Sequence, residues 1–193
     1  MVLEFLYSFS QQLVELGAIG IFLGMFLESS FVPLPSEAVL IAAGAIGFTI
    51  FDITLFGTLG STAGASVGYA IGKYGGRPFL ERFGKYFFLK PEKLSFVDRW
   101  FARWGSYSVL ISRLIPLVPF KIFSIGAGIA RMKFVPFVIF TFIGTIPRTL
   151  ILGYFGSLLF TTGNLLLMII LLAAFALVPL GISRYISVRK KKK

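Results

Sequence analysis

Two apolar stretches of this chain are each broken by a pair of prolines, and each carries charges of a single sign. The first, Glu28 to Gly44, reads E-S-S-F-V-P-L-P-S-E-A-V-L-I-A-A-G. The second, Arg113 to Gly128, reads R-L-I-P-L-V-P-F-K-I-F-S-I-G-A-G. In each, the last proline (Pro35, Pro119) stands two residues before a charge (Glu37, Lys121), and a glycine (Gly44, Gly128) follows that charge by seven. Glu28 lies nine residues before Glu37, and Arg113 eight before Lys121. Proline removes a backbone donor and disfavours helix in the residue before it. A spanning helix needs about 20 apolar residues. Gly17–Val32 offers 16 before Pro33 and Pro35, and Gly105–Ile115 offers 11 before Pro116 and Pro119. Each stretch therefore reads as two short arms around a break, a re-entrant hairpin. Backbone broken at that depth is tolerated only within protein or against a wet cavity. Hydropathy alone leaves an ordinary crossing equally open for the first stretch; the repetition favours the hairpin.

The surroundings are those of an integral membrane protein. Mean hydropathy is +0.88 and 56% of the 193 residues are hydrophobic, well above a soluble domain. There is no cysteine and no histidine, which excludes a disulfide framework, a Cys/His metal site and histidine acid–base chemistry. The formal charge of +11 is distributed unevenly. No Lys or Arg precedes Lys73, eight fall in Lys73–Arg103, and six in Arg184–Lys193. Basic segments beside apolar spans follow the positive-inside rule and argue against nucleic acid as partner. The N-terminus lacks the basic region of a signal peptide.

Taken in order, Val2–Leu16 is apolar but places Glu4, Gln11 and Glu15 on one helical face, which suits a helix in the interface; a crossing by Ser10–Leu27 is the alternative. Gly17–Phe48 is the first hairpin. Ile53–Gly72 is a full span, with Gly60, Gly64, Gly68 and Gly72 forming a ridge for close helix packing. Lys73–Arg103 is a basic cytoplasmic loop. Its Pro91–Trp104 part is an amphipathic helix with Leu94, Val97, Phe101 and Trp104 on one face, suited to anionic lipid. Gly105–Ala130 is the second hairpin. Phe134–Phe155 crosses again with Pro147 and Arg148 near its middle, and Leu165–Ile182 crosses last, before a Lys-rich tail that suits anionic lipid. The predicted fold is an all-α integral membrane protein, a single domain over 1–193. Repeat 1 occupies about 2–74 and repeat 2 about 91–158, with the last helix and tail in 164–193. The basic segments set the topology: the C-terminus is cytoplasmic, and the hairpins enter from opposite sides. Opposed units meeting through broken helices are a secondary-transporter architecture.

Five ionisable residues fall within apolar segments: Glu28, Glu37, Arg113, Lys121 and Arg148. Each costs about 2.5–3.5 kcal/mol at a helix centre. Unpaired, the five would cost about as much as a domain's whole stability of roughly 5–15 kcal/mol. They must pair or meet water. A purely structural ion-pair cluster is one reading. A functional one notes that bases exceed acids by one, which attracts an anion, and that guanidinium forks suit phosphate or carboxylate. Low dielectric favours the protonated form of a carboxylate, so Glu37 and Glu28 are the candidates for proton coupling.

At these residues the chain resembles the DedA family, whose domain is shared with the SNARE-associated Golgi and VTT proteins. The resemblance covers about Leu13–Gly156. Its carriers are E-S-S-F-V-P-L-P-S-E from Glu28 to Glu37, Gly68-Tyr69-A-I-Gly72, R-F-Gly84-K, and Arg113-L-I-Pro116 with Gly126-A-Gly128. It implies two opposed re-entrant hairpins and proton-linked transport of a polyprenyl-phosphate carrier lipid across the bacterial membrane; eukaryotic relatives scramble phospholipids. It also implies that Glu28 and Glu37 are the family's essential acids and Arg113 the first of its arginine pair. Pro119 stands where the second arginine belongs, with Lys121 the nearest base and Arg148 a further substitute.

Together these readings predict a transporter of a phosphate-headed lipid in the cell membrane. Arg113, Lys121 and Arg148 would hold the phosphate, and Glu37 and Glu28 would couple protons. No catalytic residue, metal or cofactor is expected. An uncoupled scramblase and a small-ion or proton antiporter are the alternatives, and a homo-oligomer is left open.

Overall fold

The computed structural model describes residues 16–30, 36–76, 91–114 and 120–162. Among these there is helix and no strand. In chain order the helices are α1 (Ala18–Ser30), α2 (Ser36–Ile46), α3 (Ile50–Ala70, continued by a π-helical turn over Ile71–Gly75), α4 (Pro91–Trp104), α5 (Tyr107–Leu114), α6 (Phe120–Ile129) and α7 (Phe134–Thr162). The expected interfacial segment apart from Leu16, the prolines Pro33, Pro35, Pro116 and Pro119, part of the basic loop, the last crossing and the tail lie outside the described residues.

Length divides the helices into two kinds. At 1.5 Å per residue, the 29 residues of α7 span about 43 Å, more than the bilayer core of about 30 Å. Ile50–Gly75 and Phe134–Leu159 are apolar enough to cross. Both spans exceed the expected ones at their ends. Before α3, Gly47 turns the chain with a φ of 100°, which glycine tolerates without a Cβ clash. Thr49 then caps the helix by accepting from the Asp52 amide at 3.1 Å, and Asp52 lies in the favourable first turn. By contrast, α1 has 13 residues, α2 11, α5 eight and α6 ten. Each reaches only part of the way across.

Contacts fix how these pieces run. Ile53 lies against Gly153, Thr58 against Thr149 and Tyr69 against Phe137, so α3 and α7 are antiparallel. Phe22 meets Gly60 and Phe26 meets Gly64, so α1 runs parallel to α3 and ends beside its middle. Glu37 meets Arg148 and Gly44 meets Gly156, so α2 starts beside the middle of α7 and runs parallel to it. In the second half, Tyr107 meets Phe140 and Arg113 meets Gly144, so α5 follows α7 toward its middle. Ser124 meets Gly68, and Ile125 meets Gly72, so α6 follows α3 to its C-terminal end. In each half, the first short helix lies along its own long helix and the second along the long helix of the other half.

Glycine permits these approaches. The ridge serves two partners: Gly60 and Gly64 face the α1 carbonyls of Phe22 and Phe26, while Gly68 faces Ser124 and Gly72 the Ile125 carbonyl of α6. Gly128 returns the contact against Tyr69, Gly72 and Lys73, as Gly44 does against Gly153, Gly156 and Ser157. The spacing is the same on both sides.

Polarity is arranged inside out. Ile19, Leu23 and Leu27 on α1, and Ile139, Ile143, Leu150 and Tyr154 on α7, are exposed. Ser29, Thr58, Thr62, Ser108, Ser112, Ser124, Thr141, Thr145 and Thr149 are buried. Small and hydroxylated residues between helices, with apolar residues outward, are the pattern of helices packed in lipid. At one end of the bundle, the Tyr69 hydroxyl donates to the Met132 carbonyl, and Lys73 lies over the Tyr69 ring. Lys73, Arg131 and Lys133 thus gather where α3 ends and α7 begins. Near that end, Trp100 and Phe101 of α4 pack on Phe123 of α6. Phe101, expected to face lipid, is therefore held on the protein, whereas Trp104 is exposed and covered by Arg103.

Candidate functional site

The site is assembled from four helix ends and the centre of α7. Glu28 lies in the last turn of α1 and Lys121 in the first turn of α6. Each sits at the end of a helix dipole that repels its charge. They relieve each other: Lys121 Nζ lies 3.6 Å from Glu28 Oε1. Ser29 Oγ also donates to Glu28 Oε2 at 2.9 Å. Glu37, in the first turn of α2, and Arg113, in the last turn of α5, sit at favourable ends. Glu37 accepts from Arg148 Nη2. Arg113 Nη2 donates to Ser124 Oγ at 2.7 Å. All five charged side chains expected from the sequence are therefore brought together at the middle of the bundle.

Both ion pairs join an acid of the first half to a base of the second. Their exposure differs. The Glu28 side chain is 4% exposed, but Glu37 is 42% exposed. Removing one partner of a buried pair leaves a charge that the interior cannot solvate, and Lys121 is the base paired with the enclosed Glu28. In the Glu37–Arg148 pair, the Glu37 side is open to the surroundings while Arg148 is 17% exposed.

A cavity lies beside this cluster, walled by Arg113, Arg148, Ser61, Thr141, Thr145, Thr149, Met25 and Leu40. It holds about 20 Å³, room for one water. Arg113 and Arg148 both contribute to its wall. Lys121 is not among the described residues that line it. The second base at this cavity thus comes from α7, one residue after Pro147. Pro119, where the family pattern would place that base, lies outside the described residues.

Sequence reasoning missed the hydroxyls. Thr141, Thr145 and Thr149 recur every four residues along α7, and Thr58 and Ser61 face them from α3. Thr58 and Thr149 share a hydrogen bond of 3.0 Å. The signal was available: a threonine stripe at helical spacing in an apolar span, next to an arginine. Gly144 was missed too. A Cβ there would strike the Arg113 side chain, so this glycine makes room for the guanidinium stem at the helix surface. Among the described residues, no group of three Asp, Glu, His or Cys is placed to hold a metal.

Known proteins resemble this chain along most of its length. It is 39% identical to the uncharacterized membrane protein YkoX of Bacillus subtilis, over 79% of this chain and 69% of that protein. It is 38% identical to undecaprenyl phosphate transporter A of Bacillus subtilis, over 75% and 72%. A third relative, the alkaline phosphatase-like protein of Lactococcus lactis, is 32% identical over 77% and 73%. No solved structure matches the chain. The VTT domain family matches residues 34–158, a range that holds Glu37, Arg113, Lys121 and Arg148, the whole of α3 and most of α7. The chain belongs to the VTT domain (DedA) family of membrane proteins.

Proposed function

We propose that this protein is a transporter that carries a phosphate-headed lipid between the leaflets of the bacterial cell membrane, coupled to protons. The observation that carries the proposal is the shared cavity of Arg113 and Arg148 in the middle of a lipid-facing bundle. Guanidinium groups bind phosphate through parallel hydrogen bonds. An expense of this size in buried charge is retained where a charged ligand is handled. Undecaprenyl phosphate, named in the transporter relative, is a lipid of this class. The absence of histidine and cysteine from the whole chain favours transport over metal-assisted hydrolysis, despite the phosphatase-like name of another relative.

The arms α1 with α2, and α5 with α6, form two re-entrant hairpins entering from opposite faces, related as an inverted repeat. Support comes from their reach. α1 ends and α2 starts beside the middles of the spanning helices, as α5 and α6 do from the opposite end. The end carrying Lys73, Arg131 and Lys133 faces the cytoplasm by the positive-inside rule, and the C-terminus shares that side.

In the mechanism, Arg113 and Arg148 take the phosphate. The phosphate displaces Glu37 from Arg148, and Glu37, the exposed acid of the two, accepts a proton as it leaves. Lys121 keeps the buried Glu28 neutralised throughout. The cavity must widen to admit a headgroup, which supports a gated transporter rather than an open scrambling groove. Mass spectrometry of lipids retained by the detergent-purified protein tests the binding step. Phosphate lipids should be retained by the native chain and lost from Arg113→Ala. Equal retention in both would overturn it.

A further inference from the structure

Threonines in helices ordinarily give their hydroxyl proton to a carbonyl one turn back. This chain follows the habit closely. Thr62 donates to Thr58, Thr145 to Thr141 at 2.7 Å, Thr161 to Ser157 and Thr162 to Leu158. Thr149 has the Thr145 and Ile146 carbonyls and the Thr58 hydroxyl as neighbours. Thr141 departs from the pattern. It is 1% exposed, yet its hydroxyl meets no hydrogen-bond partner. Thr54 shares that state, but it does not line the cavity. Thr141 does, beside Arg113 and Arg148.

A buried hydroxyl without a partner costs free energy and calls for an explanation. Around this cavity the other threonine protons have acceptors within the protein, so those oxygens present lone pairs. Thr141 alone among these threonines has its proton to give. The two cationic groups on the same wall repel a cation and attract an oxyanion. The space admits one oxygen-sized group at a time.

We propose that Thr141 is a specificity residue whose hydroxyl donates to one phosphoryl oxygen of the ligand, seated between Arg113 and Arg148. This inference rests on the phosphate-lipid reading above. Phosphate chemistry is shared by a lipid monoester and by free phosphate.

The test is calorimetric titration of the purified full chain with farnesyl phosphate and, separately, inorganic phosphate. Thr141→Val keeps the shape and removes the donor; Thr141→Ser keeps the donor. Thr141→Val should weaken farnesyl phosphate binding about tenfold or more, as expected for a hydrogen bond to a charged group. Thr141→Ser should bind within about twofold of the native chain, since the donor is retained. The ligand-free melting temperature should not fall in Thr141→Val, because no protein hydrogen bond is lost. Thr62→Val, whose hydroxyl lies off the cavity, should bind normally. Loss of the farnesyl phosphate response alone assigns the oxygen to the lipid headgroup. Loss of both responses assigns it to phosphate from either source. Both outcomes support Thr141 as donor. Native-like binding by Thr141→Val overturns the inference alone. A native chain that binds neither ligand overturns the phosphate-lipid reading and this inference with it.

Discussion

At the scale of single residues, the two ion pairs look alike in sequence and differ in the fold. Lys121 neutralises a carboxylate that is almost entirely enclosed, whereas Arg148 meets one that is half open. Removing a partner from a buried pair costs about 3–5 kcal/mol, and from an exposed pair about 0–1 kcal/mol. Lys121→Met should therefore lower thermal stability in detergent more than Arg148→Met. Adding Glu28→Gln to Lys121→Met should recover much of the loss. Equal losses in the two single variants would contradict this ranking. Sequence spacing identified all five charges because charge in an apolar span is rare. It did not reveal their partners, since pairing depends on how the helices cross. Lys121 and Arg148 both stood as substitutes for the missing arginine by position; among the described residues it is Arg148, on a different helix, that lines the cavity beside Arg113.

At the scale of helices, the lengths were largely legible. Pro91–Trp104 was expected from its amphipathic period and occurs with those bounds. The long spans were recognisable by hydropathy, although α7 continues to Thr162, beyond the expected end, because nothing after Phe155 breaks it before that point. The glycine ridge was visible as a period of four, but its division between α1 and α6 was not. That division has a measurable consequence. A methyl at Gly72 would overlap the Ile125 backbone, while one at Gly68 meets only side chains, Ser124 Cβ tightly at 3.3 Å and Ile125 at an ordinary 3.7 Å. Backbone cannot yield as a side chain can, and overpacking costs about 1–3 kcal/mol. Gly72→Ala should be clearly destabilising and Gly68→Ala mild, read by thermal unfolding. Because α6 carries Lys121 and Ser124, Gly72→Ala should also slow transport.

At the scale of the molecule, the proposed inverted repeat predicts sidedness. The native chain has no cysteine, so single cysteines report cleanly. Lys133→Cys should be labelled by an impermeant maleimide only from the cytoplasmic side, and Phe48→Cys only from the outside. Labelling of both from one side would contradict antiparallel spans with opposed hairpins. The closed cavity and the paired acids describe one arrangement, in which the acids of the first half hold bases of the second. In the proposed mechanism that hold is exchanged for phosphate, beginning at the more exposed Glu37. The most direct measurement is flipping of a fluorescent polyprenyl phosphate in proteoliposomes under an imposed pH gradient. The native chain should flip it faster with the gradient than without. Arg113→Ala and Glu37→Gln should each lose about tenfold or more, the scale of a charge-assisted hydrogen bond. Native rates in both variants, or flipping indifferent to the gradient, would contradict proton-coupled transport through this site.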